Sequence, residues 1–322
     1  MDRSRLQPMA ILAVVLLLAL GALFFVSGRS GQGDDQGARG EEPTITLVHE
    51  DGRREQMGME EYVKGVVAGE MGRLPARGQT EEQDWPEEAY AAQAILARSF
   101  ALRYLEETGG NEIPAQHEAA QAYNPGNITP VIERGVERTR GEVMTYQGET
   151  VRAWFHSYSG GRTATAREGL GQESDPPYIK SVDTGDNEFV PEDVARWQVS
   201  LGLDEIAAAL REQDIDVGEV RDVRIGARGP SQRVTEFVVE GTEGTRTVIG
   251  NDFRLAVGPE RLKSTLIDEW EVSGGRVIAS GRGFGHGVGL SQWDAYKMAR
   301  EGRSPEEIVE FFFEGIEIQR RW

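Results

Sequence analysis

The chain has 322 residues, with 54 acidic against 35 basic side chains and a formal net charge of −19. That balance argues against nucleic acid or an anionic lipid surface as the main partner and favours a neutral or locally captured substrate. There is no cysteine, which excludes disulfides, thiolate catalysis and cysteine-ligated zinc, and the 4 histidines fall in no HExxH or HxH spacing, so no metal or other cofactor is expected.

Residues 9–26 form an uncharged apolar run behind Arg3 and Arg5, with the length of a short membrane span. Positive residues before it and acidic sequence after it put residues 1–8 in the cytoplasm and the bulk of the chain outside, as a single-pass protein of the cell membrane. Ser27 and Gly28 are small, as a cleavage site requires, but the reading taken is a retained anchor. Residues 27–43 read as a flexible tether, which leaves 44–322 as the folded part, with room for one or two compact units.

Residues 44–49 alternate like a strand, and Asp51-Gly52 then signals a turn. From Met59 to Met71 the apolar spacing is helical, ending at Gly72 and Pro75. Glu70 follows Val63, Val66 and Val67 by seven, four and three residues, so it belongs to the apolar stripe of that helix. Apolar surroundings and the negative end of the helix dipole both favour a protonated carboxyl, the environment of a general acid. A glutamate that simply turns to water at a helix end fits the same letters. A second helix is expected from Pro86 to about Glu106, alanine-rich, with Arg98 on the face of Ala94, Ile95, Ala101 and Leu102. That guanidinium either snorkels out or meets a buried partner, and a partner is favoured.

Residues 111–128 are irregular, and 128–140 read as a short helix. Residues 142–146 and 150–157 read as a hairpin in which Val151, Ala153 and Phe155 face one way and Arg152, Trp154 and His156 the other. His156 leads into Ser157, Ser159, Gly160, Gly161 and Thr163, a polar strand end of the kind that reads sugar rings, although an ordinary Ser/Gly turn fits too. Strands are expected near 196–201, 220–226, 233–240 and 244–249, with a helix over 203–211. From Gly281 to Gly289 every second residue is glycine, with His286 inside the run and Ser291-Gln292 at the entrance of a helix reaching about Arg300. Such a run lets main-chain amides approach something bulky, and with no P-loop lysine behind it a hydroxyl-rich ligand suits it better than a phosphate. A tight turn packing a helix on a sheet is the plainer alternative. Ser304-Pro305-Glu306-Glu307 opens a last helix with a capping signal. Short strands interleaved with helices, without a βαβ rhythm, indicate an α+β fold of mixed antiparallel sheets.

The stretches 60–71, 88–100, 139–146, 155–163, 177–182 and 281–302 resemble, in order, the stage II sporulation protein D family of anchored peptidoglycan lytic transglycosylases and their amidase enhancer relatives. The resemblance implies that Glu70 is the catalytic acid, cleaving between N-acetylmuramic acid and N-acetylglucosamine in glycan strands, with a preference for strands stripped of stem peptides. Candidate substrate-contacting residues are then Arg98, His156, Ser157, Ser159, Gly160, Gly161, Thr163, Gly285, His286, Gly287, Ser291 and Gln292. Implied partners are the glycan itself, a cell-wall amidase and other membrane-anchored engulfment proteins. Gly72 stands where the family has proline, and Asp294 where glycine is commoner. Some members bind zinc through cysteines and histidines near the segment 115–123; this chain keeps His117, Gln121 and Tyr123 without a cysteine, so no zinc is expected. A non-catalytic glycan-binding amidase enhancer is the alternative. A metal hydrolase using His156 and His286 is a third reading, without carboxylate spacing to support it.

Overall fold

The computed structural model describes residues 40–74, 82–115 and 121–322. The expected cytoplasmic stretch, the span, the tether up to residue 39 and His117 lie outside the described residues. Among the described residues no helix is long and apolar enough to cross a membrane.

In chain order the elements are β1 (Thr44–Val48), β2 (Arg54–Gly58), α1 (Met59–Glu70), α2 (Glu87–Thr108), β3 (Glu112–Pro114), α3 (Pro130–Arg138), β4 (Glu142–Tyr146), β5 (Glu149–Thr150), β6 (Phe155–His156), α4 (Ala166–Leu170) and α5 (Glu192–Ala195). There follow β7 (Arg196–Gly202), α6 (Leu203–Arg211), β8 (Val220–Arg228), β9 (Val234–Gly241), β10 (Gly244–Ile249), α7 (Gly250–Val257), β11 (Ile267–Ser273) and β12 (Arg276–Arg282), then β13 (Leu290–Ser291), α8 (Gln292–Arg300), α9 (Pro305–Phe312) and β14 (Glu317–Arg320). The sheets run β2-β1-β3, β14-β4-β5, β10-β9-β8 and β11-β12-β7, with a short β13-β6 pair. Among the described strands only β1 with β3 and β6 with β13 pair in parallel, so the fold is the expected α+β with mostly antiparallel sheets.

Two hydrophobic cores organise the chain. One collects side chains from residues 45–190 and again from 288–322, among them Tyr62, Val66, Ile95 and Phe312. The other is built wholly within residues 197–279, around Phe237, Phe253 and Val277. The chain therefore leaves the first core near residue 190, builds the second, and returns along the glycine run. Local signals set the helices. Met59, Tyr62, Val63, Val66 and Val67 give α1 its buried face. Gly109, at φ 69°, closes α2 in a left-handed cap. Thr129 caps α3 ahead of Pro130, accepting from the Ile132 amide. Ser304 and Glu307 cap α9 reciprocally, at 3.2 and 2.8 Å.

The hairpin is shorter than expected. Its second strand stops at Thr150, and the chain re-forms a strand only at Phe155-His156, now beside Leu290-Ser291. Inward-facing Val151 and Ala153 keep the alternation, but the break reverses it, so that His156 is buried and Phe155 only half-buried. Leu290 and Ser291 are strand rather than the first turn of α8, whose amide at Trp293 donates to the Ser157 carbonyl (3.0 Å).

Candidate active site

Glu70 is the last residue of α1 and is half-buried. Its Oε1 accepts the Ala122 amide at 2.7 Å, which fixes the carboxyl against the segment after residue 120. Beside that segment the Tyr62 hydroxyl donates to Gln121 Oε1 (3.3 Å), and burial, then the Glu70 charge, push the Tyr62 phenol well up, so it stays a neutral donor. Two residues past Glu70, the Gly72 carbonyl accepts the Tyr90 hydroxyl of α2 (2.7 Å). One turn further along α2, Gln93 accepts from Gln292 Nε2 (3.5 Å). The first turns of α2 thus touch both the end of α1 and the entrance of α8, and Trp85 just before them packs at a tilt against Trp293 (4.8 Å between centroids).

The glycine run and the 155–163 segment do come together, but largely against each other. Gly283, Gly285, Gly287 and Gly289 all have positive φ, between 72° and 106°. At Gly289 a Cβ would lie 2.0 Å from the Trp154 carbonyl oxygen, and at Gly287 2.5 Å from the Nε of Arg233. The bulky object that these glycines admit is therefore the protein itself.

Two imidazoles face one another in this packing, with ring centroids 5.6 Å apart. The Val288 peptide grips both: its N–H donates to His286 Nδ1 (3.0 Å) and its carbonyl accepts from His156 Nδ1 (3.1 Å). His286 must then carry its proton on Nε2, which bonds the Phe155 main chain, while His156 carries its proton on Nδ1 and keeps a lone pair on Nε2. His156 Nε2 is a buried atom with no hydrogen-bond partner among the described residues. Burial, reinforced by Arg254 and Arg233, brings His286 down to about 3. Burial, then His286 and Arg233, hold His156 well below its ordinary 6.5.

The sign of the resulting pH dependence follows. An unfolded His156 takes up a proton below about 6.5 that the folded one refuses, so its stabilising share is full above that pH and declines below it, by up to about 1.4 kcal/mol per pH unit. Asp294 acts oppositely: burial raises its carboxyl above the ordinary 3.8, so its share is full below that value and fades as pH rises through the folded pKa. Denaturant unfolding at pH 7.5 and 5.0 is expected to show lower stability at pH 5.0, and His156→Gln to shrink the difference to the share that His286 retains; an equal difference in both proteins would refute the assignment.

The predicted hydroxyls are mostly spent inside. Ser159, Thr163 and Ser291 are fully buried apart from a few per cent at most. Ser159 Oγ donates to Asp294 Oδ2 (2.6 Å), Ser291 Oγ accepts the Ser159 amide (3.0 Å), and Thr163 Oγ1 accepts the Val182 amide (2.8 Å). Gly160, Gly287 and Gln292 are buried too, which leaves Ser157, Gly161, Gly285 and His286 as the partly open members of the group.

Arg98 stands elsewhere, buried in the frame of the first core. It is 0% exposed, and its Nε and Nη2 hold Glu60 at 2.8 and 2.7 Å while Nη1 and Nη2 also reach Thr139 and the Val136 carbonyl. Glu60 lies in the first turn of α1 and Glu70 ends it, about 15 Å apart at ~1.5 Å per residue. The buried partner expected for Arg98 is thus Glu60, in the frame rather than at the site. Sequence reasoning missed three anchoring residues: Glu60 in the frame, and Asp294 and Arg233 beside the glycine run. Asp294, three residues past Ser291, gave a signal in its place among hydroxyls; the other two act across 38 and 74 residues of sequence, and no local pattern marks them. Among the described residues no group of three or more His, Asp or Glu is placed to hold a metal ion.

A family model described as stage II sporulation protein matches residues 49–146, and one described as a domain of unknown function matches residues 174–289. The two spans fall largely on the first and second cores. An uncharacterized protein of Brachyspira hyodysenteriae is 28% identical over 82% of this chain and 67% of its own length. Stage II sporulation protein D of Bacillus subtilis is 30% identical over 82% of this chain and 75% of its own length. The amidase enhancer of Bacillus subtilis is 25% identical over 80% of this chain but only 40% of its own length.

Proposed function

The chain belongs to the stage II sporulation protein D family, and we propose that it is a peptidoglycan lytic transglycosylase of cell-wall remodelling during sporulation and engulfment, acting on glycan strands freed of stem peptides. The observation that carries this reading is the placement of Glu70: a single carboxyl at the end of a buried helix, positioned by the Ala122 amide and reached from its half-open side.

In this mechanism the Glu70 carboxylic acid gives its proton to the oxygen linking the muramoyl C1 to the next sugar, and the C1–O bond breaks. The 6-hydroxyl oxygen of the same muramoyl residue then bonds to C1, and its proton returns to the Glu70 carboxylate. The product is a 1,6-anhydro ring, the acid is regenerated, and no water is consumed. One carboxyl serves both steps because the nucleophile is internal, so the paired carboxylates of ordinary glycosidases are not required. Ser157, Gly161, Gly285 and His286 offer the partly open polar edge against which sugar rings would lie. Residues 9–26 are proposed to anchor the enzyme in the cell membrane, with residues 44–322 outside the cytoplasm beside an amidase and other engulfment proteins.

Mass analysis of products from peptide-free glycan tests the reading. Muramoyl ends lighter by one water than hydrolytic ends are expected; hydrolytic ends, or none, would remove it. The resemblance to an amidase enhancer supports a second reading, a glycan-binding protein without cleavage that raises the activity of an amidase.

A further inference from the structure

Arg233 lies just before β9, in the part of the chain that builds the second core, yet its guanidinium is 0% exposed and points into the first. Nη2 donates to the Ser159 carbonyl at 2.7 Å and Nη1 to the Arg162 carbonyl at 2.8 Å, so the planar fork clamps the turn that carries Ser159, Gly160 and Gly161. On its other side the returning main chain passes directly over it at Gly287, where a Cβ would meet Nε at 2.5 Å and Cζ at 2.6 Å. Among the described residues no carboxylate is paired with it: Glu168, whose charge is felt at Arg233, spends its Oε1 on the Ser231 amide (2.7 Å) and Oε2 on the Thr165 amide (3.2 Å). A buried cation without an ion pair is costly to a fold, and an apolar side chain of the same volume would fill the space at less cost. What an apolar side chain would not do is hold two carbonyls of the other core.

We propose that Arg233 is a positioning residue of the candidate site, pinning the 157–163 turn and the His156–His286 pair against the glycine run at the crossing between the two cores. The charge has a second consequence. Burial is the main cause that keeps both rings neutral, and Arg233 adds to it together with Arg254 of α7, opposed at Arg233 by Glu168 of α4 and joined there by Arg282 of β12. Neutral rings are what the Val288 grip requires, since a second ring proton on His286 would turn its Nδ1 from acceptor to donor and break the bond from the Val288 amide. The glycan-facing role of the turn rests on the function proposed above; the pinning does not.

The test uses the full chain with Glu70→Gln as background, so that a bound probe is not cleaved, and compares Arg233→Met, Arg233→Lys and Gly287→Ala. Nitrogen-15 signals of the imidazoles report tautomer and titration, and a peptide-free glycan tetrasaccharide reports affinity. In the parent, the His156 and His286 signals are expected to stay neutral down to pH 5. Arg233→Met is expected to raise both titrations, burial still holding them below the ordinary range, and to weaken the tetrasaccharide about tenfold, whereas Arg233→Lys keeps the charge, leaves the titrations low and loses only part of the affinity. Gly287→Ala keeps Arg233 but lifts the main chain off it, so it is expected to disturb the Val288 bonds; it carries the test with Arg233→Lys if Arg233→Met does not fold. Folded variants with parental tautomers, titrations and affinity would overturn the proposal. Imidazole signals that move while affinity holds would support the pinning and count instead against the glycan reading of the turn.

Discussion

Glu70→Gln is expected to abolish release of 1,6-anhydro ends, lowering turnover of peptide-free glycan by about 10²–10⁴-fold, the range by which a positioned acid-base group accelerates such steps. The amide is nearly isosteric, and its carbonyl oxygen still accepts the Ala122 amide that Oε1 accepts at 2.7 Å, so geometry is retained and the proton is lost. Binding of the glycan and thermal stability are therefore expected to stay close to the parent. That split makes the variant decisive. Turnover that survives the substitution would end the role of Glu70 as acid. Loss of binding along with turnover would show that the side chain holds the sugar rather than transferring a proton. Glu70→Asp supplies the complementary reading: it keeps an ionisable acid but withdraws it by one methylene, so turnover falls without being abolished.

The same variant separates the two functions proposed for the fold. An amidase enhancer without cleavage needs the glycan surface and not the acid, so Glu70→Gln would leave enhancement intact. A transglycosylase needs both. Since the amidase enhancer resemblance spans 80% of this chain, overall similarity does not choose between them, and a single side chain does.

How much was legible in the sequence depended on how local the cause was. The α1 stripe, the α6 helix and the Ser304 cap follow from neighbours within one or two turns, and each forms where its pattern predicts. The β7 and β10 strands do too. His156 shows where such reasoning stops, because the strand breaks after Thr150 and restarts on a new partner 135 residues away, which turns the imidazole inward. Alternation is a property of an unbroken strand, and nothing within 150–157 marks the break. The glycine run was recognisable as a place of close approach, but what approaches is Arg233 and the 154–160 segment, a fact of tertiary packing. Likewise Ser159, Thr163 and Ser291 read as a ligand-facing edge because hydroxyls are drawn to ligands and to buried polar groups alike. Their own burial places them with the second, Ser159 on Asp294 and Thr163 on the Val182 amide.

Arg98→Met is expected to destabilise the protein by about 3–5 kcal/mol, a fall in melting temperature of roughly 10 °C for a chain of this size. The reason lies with the partner left behind. Glu60 Oε1 also accepts the Gly141 amide (3.0 Å) and Trp322 Nε1 (2.9 Å), so the carboxylate joins α1, α2, the turn after α3 and Trp322 at one point and is only 3% exposed. Removing the guanidinium leaves that charge buried with neutral donors only. Arg98→Lys is not expected to rescue, because one ammonium does not reach Glu60, Thr139 and the Val136 carbonyl together. Combining Arg98→Met with Glu60→Leu removes both charges and is expected to recover part of the loss, a coupling that a double-mutant cycle by denaturant unfolding measures directly. Because the pair sits about 15 Å along α1 from Glu70, variants kept below their melting temperature are expected to bind and process glycan as the parent does. A variant with parental stability but impaired binding would place Arg98 back among the residues that meet the substrate.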